Sequence, residues 1–216
     1  DAEGYLLQAI KLDPNFTDAH SHISTVYIQS GRFLEAESFL LSAIKLNPNE
    51  ARLYSNLAGV QINLRKLSEA QISLQKAIEI DPNFPQSYVN LAMISKNFGN
   101  FIDAEKFLKK AIELKQDFPE AFNNLGSVLK ELGKLEEGKE FILKALKLKP
   151  DYSDAHCNLG IILKELGQLY EAKKSTLRAI KLKPDFITAY SNLGIILKEL
   201  GEMNEAKIFT KKAIEL

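Results

Sequence analysis

Six residues spaced 34 apart carry the groups best suited to recognition chemistry: His22, Asn56, Asn90, Asn124, Asn158 and Asn192. A carboxamide has an acceptor oxygen and a donor nitrogen, so a row of them can satisfy the C=O and N–H groups of another polypeptide without reading its side chains. Asparagine is a mediocre helix former, and its recurrence at one register is not explained by propensity. Two further sets share the register. Met93, Ile161 and Ile195 each follow an asparagine by three residues, and Glu131, Glu165 and Glu199 follow one by seven. On a helix these offsets place amide, apolar contact and carboxylate in one stripe. The chemistry implied is capture of an extended protein segment, with the carboxylates receiving basic side chains. Amides in such a stripe are expected to lie outside the core, so that their removal leaves stability nearly unchanged; the alternative is that each amide caps or bridges neighbouring helices.

Other chemistry has little support. The histidines are His20, His22 and His156, and Cys157 is the single cysteine. Neighbouring residues on a helix point about 100° apart, so His156 and Cys157 do not form a dyad, and no catalytic residue is assigned. No Cys/His cluster has ligand spacing, so no metal or cofactor is expected. Lys+Arg and Asp+Glu both number 28, whereas a nucleic-acid binder usually carries a clear basic excess. A helical-repeat reader of RNA and a purely structural or self-assembling spacer remain the alternatives to protein docking. No apolar run approaches a bilayer span and no signal-peptide pattern opens the chain, so no membrane partner is expected and the cytoplasm is the expected location.

The elements that must position the stripe are set by the same period. Pro14, Pro48, Pro82, Pro150 and Pro184 recur every 34 residues, with Gln116 at the one exception. Alanine holds a second register at Ala9, Ala43, Ala77, Ala111, Ala145, Ala179 and Ala213, and a third runs Ala2, Ala36, Ala70, Ala104, Gly138, Ala172, Ala206. Small residues at fixed intervals mean close helix contacts, where a larger side chain would cost roughly 1–3 kcal/mol by overpacking. A period of this length is a stack of identical supersecondary units. The predicted fold is all-α, a right-handed α-α superhelix of 34-residue helix-turn-helix repeats. Residues 1–16 are the second helix of a truncated unit, and full units span 17–50, 51–84, 85–118, 119–152, 153–186 and, truncated at its end, 187–216.

Within a unit the first helix ends at a glycine: Gly31, Gly99, Gly133, Gly167 and Gly201, with Arg65 in the second unit, where a less well closed turn is expected. Asp151 reads as an N-cap, and the pairs Asn15/Asp18, Asp117/Glu120 and Asp151/Asp154 have capping-box spacing. Phe84, Phe118, Tyr152 and Phe186 read as plugs between units. Glu35, Glu69, Asp103, Glu137, Glu171 and Glu205 fall in the first turn of the second helix, where the helix dipole explains them. Glu131, Glu165 and Glu199 lie at the C-terminal end of a first helix, where the dipole opposes them. That leaves them for a ligand.

At these positions the chain resembles the tetratricopeptide-repeat family. The family's eighth position takes a tiny residue, here Ser24, Ala58, Ala92, Gly126, Gly160 and Gly194; its fourth takes a ring, here His20, Tyr54, Tyr88, Phe122, His156 and Tyr190. The resemblance implies that the asparagine stripe lines a concave groove. The asparagines are similar to those of the repeat superhelix of O-linked N-acetylglucosamine transferases, which hold the backbone of an extended peptide. The catalytic half of such enzymes is absent, so no glycosyl transfer is implied. With first helices about 10 Å apart and an extended chain rising about 3.3 Å per residue, each asparagine would meet about every third ligand residue. The chain starts and stops inside helices, which suggests the docking arm of a larger protein and weak end-to-end self-association of the fragment.

Overall fold

The computed structural model describes residues 2–216; of the truncated first unit expected at 1–16, Asp1 lies outside the described residues. Among the described residues there are thirteen helices and no strand. They divide into two compact units, Asp1–Gly99 and Asn100–Leu216. The first holds α1 (Ala2–Leu12), α2 (Thr17–Gln29), α3 (Phe33–Leu46), α4 (Ala51–Asn63), α5 (Leu67–Ile80) and α6 (Pro85–Asn97). The second holds α7 (Phe101–Leu114), α8 (Pro119–Glu131), α9 (Leu135–Leu148), α10 (Ser153–Glu165), α11 (Leu169–Leu182), α12 (Ile187–Glu199) and α13 (Met203–Glu215).

In each unit consecutive helices pack on one another, the packing of an α-solenoid, and the first helices also touch side by side, α4 on α6, α8 on α10 and α10 on α12. The core is accordingly a series of clusters. One joins Ile23, Leu40, Leu53 and Val60; another joins Phe122, Ile142, Leu159, Ile162 and Ile196. The small-residue registers lie at the close approaches: Ala36, Ala70, Ala104 and Ala172 are fully buried. At Gly126 an added Cβ would stand 2.4 Å from Ile142 Cγ1 and 2.7 Å from the Gly138 carbonyl oxygen. Backbone atoms cannot yield as a flexible side chain can, so only glycine fits there.

The helix ends differ from the sequence expectation in two respects. The first helices start one residue later than a capping box requires, and their N-cap residues, Phe16, Phe118 and Tyr152, make no side-chain cap bond. At Phe118 and Tyr152 the reason is that this position carries the plug ring. Phe118 is buried, and Lys115, Lys149 and Lys183 hold their Nζ atoms 5.0, 4.6 and 5.0 Å from the ring centres of Phe118, Tyr152 and Phe186. The preceding turn is instead fixed by aspartates, Asp13 Oδ1 accepting from Asn15 N at 3.0 Å and Asp81 Oδ1 from Asn83 N at 2.9 Å. Asp151 faces Arg178 as an ion pair at 2.5 Å.

The second departure is Arg65, which closes its turn as fully as glycine does. It adopts φ +62°, against +74° at Gly167. Its N–H donates to the Ile62 carbonyl at 3.1 Å and that of Lys66 to Gln61 at 2.8 Å. Gly167 and Gln168 make the same pair of bonds. The hydrogen bonds of this left-handed cap outweigh the steric penalty of a Cβ, about 1–2 kcal/mol.

Candidate protein-docking face

On α6, α10 and α12 the rung of the stripe lies on the seam where the helix meets the first helix before it. In the first unit Asn90 on α6 is 5% exposed, and its Nδ2 donates to the Ser55 carbonyl of α4 at 2.8 Å and to Ser55 Oγ at 3.3 Å. In the second unit Asn158 on α10 donates from Nδ2 to Asn123 Oδ1 of α8 at 2.9 Å, and Asn192 on α12 donates to Cys157 Sγ of α10 at 3.5 Å. The recurring geometry is a donor reaching back 35 residues, one more than the repeat, to the fifth position of the preceding first helix. Asn56 and Asn124 are half-buried and make no side-chain hydrogen bond to a described residue; His22 is exposed.

Donor and acceptor ends of the rungs therefore have different fates. Asn90 Oδ1 accepts from Gln86 Nε2 at 3.2 Å, whereas Asn158 and Asn192 leave Oδ1 without a donor among the described residues. These two rungs present an acceptor, not the donor–acceptor pair expected from the sequence. Beside them Ile195 and, in the first unit, Met93 are well exposed, and Ile161 is half-buried. Glu131, Glu165 and Glu199 are all exposed. Glu131 is matched by the adjacent Lys130 at 2.5 Å; Glu165 and Glu199 have no ion pair with a described residue.

Of the fifth-position residues, Ser55 and Asn123 were not singled out in the sequence, and Cys157 was weighed there only as a catalytic or metal-binding thiol. The signal was present as polar side chains one position before the rung, but only the helix-to-helix seam gives them meaning. Asn123 is 3% exposed and acts on the Tyr152 phenol. That phenol is pushed up to about 12, mainly by burial and then by the charges of Asp154 and Glu120, with the Asn123 bond opposing. Burial likewise pushes the Cys157 thiol up to about 11, against the Asn192 N–H that favours the thiolate. A thiol so placed is a packing group with a weak acceptor sulfur, not a nucleophile at neutral pH.

The remaining polar rings hold turns in place. His20 and His156 set Nε2 2.9 Å from the carbonyls of Pro14 and Pro150, and Tyr88 donates its O–H to the Pro82 carbonyl at the same distance. Among the described residues no group of three or more His, Cys, Asp or Glu could hold a metal ion, and no helix is long and apolar enough to cross a membrane.

Models of the tetratricopeptide repeat match residues 27–94, 85–118, 119–152, 141–174 and 187–216, most of the chain. The chain belongs to the tetratricopeptide-repeat family. No curated protein sequence matches it. Among solved structures, a chain of the APC/C hetero-tetramer Cut9–Hcn1 superposes with a TM-score of 0.90 over 99% of this chain at 16% identity; this chain spans 43% of that one. MamA matches with a TM-score of 0.60 at 26% identity over 74% of this chain and 93% of its own. YrrB, described as a TPR protein with an unusual peptide-binding site, matches with a TM-score of 0.54 at 20% identity, over 85% of this chain and 95% of its own. At 16% and 20% identity the likeness shows the fold alone. Tetratricopeptide repeats serve as protein–protein interaction scaffolds, and that is the function the family gives this chain.

Proposed function

We propose that the tetratricopeptide repeats bind an extended segment of a partner protein along the asparagine stripe, without catalysis, and that the segment is rich in hydrogen-bond donors and basic side chains. The observation that carries this reading is the polarity of the rungs. Asn158 and Asn192 have Nδ2 engaged at the seam and Oδ1 unengaged, and the unpaired carboxylates of Glu165 and Glu199 stand two helical turns further along the same stripe. Acceptors of both kinds favour backbone N–H, lysine and arginine. Ile161 and Ile195 supply apolar contact between rung and carboxylate. Each hydrogen bond contributes about 0.5–1.5 kcal/mol, while ordering a disordered ligand costs about 1–2 kcal/mol per residue. Backbone capture alone is therefore weak, and the apolar and charged contacts must supply selectivity.

The test is a panel of unstructured peptides, lysine-rich, neutral and acidic, titrated against the chain and its Glu165→Gln/Glu199→Gln and Asn124→Ala variants. The lysine-rich peptides should bind best, weaken as salt rises, and lose affinity in both variants. Preference for acidic peptides, or indifference to salt and to both variants, would refute the proposal.

A further inference from the structure

A second surface of different chemistry lies in the C-terminal unit, on the other side of α10 from the stripe. There α9 and α11 both pack on α10 and leave a cleft of about 780 Å³ lined by Leu143 and Leu146 of α9, Leu159 and Leu163 of α10, and Leu177 of α11. By helical period Leu159 and Leu163 face nearly opposite to Asn158, Ile161 and Glu165 on α10. The volume lies within the range of about 300–1,000 Å³ typical of ligand pockets. Its floor offers no polar handle: His156 is bonded to the Pro150 carbonyl, and Ser175 Oγ donates to the His156 carbonyl at 2.9 Å. The walls are open, Leu143 and Leu177 being 47% and 39% exposed.

The rim is basic in a way the other helices are not. Lys174, Arg178 and Lys181 stand at i, i+4 and i+7 along one edge of α11. In α5 and α7 the third place of that stripe is Glu79 or Glu113, which pairs with Lys76 at 3.5 Å or Lys110 at 3.2 Å. In α9 the first place is Glu140. Only α11 among these carries three cations along its edge, and two of them, Lys174 and Lys181, are unrelieved by a carboxylate of a described residue. Lys139 closes the far side of the cleft, paired with Glu136 at 2.6 Å, and Arg178 is paired with Asp151. Lys174 and Lys181 have no ion pair with a described residue, and Glu171 is the one carboxylate lining the cleft.

We infer that this cleft docks a helical segment of a partner protein that presents leucine-sized side chains to its floor and carboxylates to Lys174 and Lys181. An apolar trough with a one-sided charged edge matches an amphipathic acidic helix, whose i, i+4, i+7 face inserts while its flanking acids meet the cations. The chain then carries two faces of opposite preference, one for basic extended segments and one for acidic helical ones, and the cleft stands or falls independently of the stripe.

The experiment uses fluorescence anisotropy with a labelled helical peptide bearing leucines at i, i+4 and i+7 and glutamates beside them. Two control peptides replace the leucines by serine or the glutamates by lysine. The parent peptide should bind saturably. Affinity should fall at least about tenfold for either control and for the Lys174→Glu/Lys181→Glu and Leu177→Ser variants, and should be unchanged by Asn124→Ala. Absence of saturable binding, or equal binding to the variants, overturns the inference. Equal binding of the serine peptide, with displacement by heparin, would assign the cations to polyanions in general and overturn it too. A concentration-dependent mass removed by Leu177→Ser would assign the cleft to a second copy of the chain, and the inference would fall in that case as well.

Discussion

Replacing Asn158 by alanine separates the two roles of a rung. The substitution removes the 2.9 Å bond from Nδ2 to Asn123 Oδ1. Because Asn123 is 3% exposed, water does not replace the lost donor, and an unsatisfied buried acceptor costs about 1–3 kcal/mol. Taking about 1.5 kcal/mol and a urea slope of about 2 kcal/mol/M, the midpoint of the C-terminal unit should fall by about 0.7 M. Asn124→Ala is the internal control. That side chain occupies the same register on α8 but makes no hydrogen bond to a described residue, so its loss should cost under about 0.5 kcal/mol. Far-UV circular dichroism in urea gives the midpoints. Amide hydrogen exchange should accompany it, because a solenoid opens locally as well as globally, and the loss for Asn158→Ala should concentrate in α8 and α10. Equal shifts for the two variants would refute the seam bond as a stabilising contact and restore the simpler expectation that every rung lies outside the fold's energetics.

Three further outcomes follow. Arg65→Gly should raise stability by about 0.5–1 kcal/mol in the same urea assay, since relief of the positive φ exceeds the entropy that glycine adds to the unfolded chain; a loss would show that the Arg65 side chain contributes more than its backbone costs. Glu105 is buried and held below its ordinary value of 4.5, first by the Lys109 ammonium at 2.6 Å and also by Lys134 at 3.0 Å. A carboxyl depressed in the folded state contributes stability that is complete above the unfolded value and lost as pH falls through the folded one. The urea midpoint should therefore drop below about pH 4.5, and Glu105→Gln should flatten that drop; an unchanged acid limb would assign it elsewhere. Finally, sedimentation of the 216-residue chain over a wide concentration range should show a rising mass if α1 and α13 stack end to end, with Tyr5, Leu12 and Ile214 each at least three-quarters exposed; a constant monomer mass would exclude it.

Period and small residues made the helices legible because they act locally. A proline two residues before Phe84, Tyr152 and Phe186 stops one helix, a glycine in every repeat but that of Arg65 stops the other, and alanine at Ala43, Ala77 and Ala111 admits the neighbouring backbone. The rungs were legible as a register for the same reason. Their bonds were not, because the acceptors lie on the preceding first helix and vary in type among Ser55, Asn123 and Cys157, so no single motif announces them. Capping boxes misled because the spacing of Asp151 and Asp154 is a local cue, while the need to bury the Tyr152 ring is a packing constraint that moves the helix start. Arg65 misled in the opposite sense: residue preference predicted a looser turn, but two backbone hydrogen bonds fix the turn whatever the side chain.

The seam bond and the proposed recognition role do not compete for the same atoms, and this bears on affinity. A surface asparagine that captures a peptide must give up side-chain rotamers, about 0.5–1.5 kcal/mol for each side chain immobilised. Asn158 and Asn192 have lost that freedom on folding, because Nδ2 is held by Asn123 or Cys157 and the planar amide then fixes the direction of Oδ1. Each of these rungs is thus a pre-oriented acceptor. Asn124, with no such tether among the described residues, still has its ordering to lose on binding. In the proposed recognition role an array of this kind would gain affinity from the same contacts that join its first helices, which would give a physical reason for asparagine at a position where serine or alanine would pack and glutamine would not reach back in the same geometry.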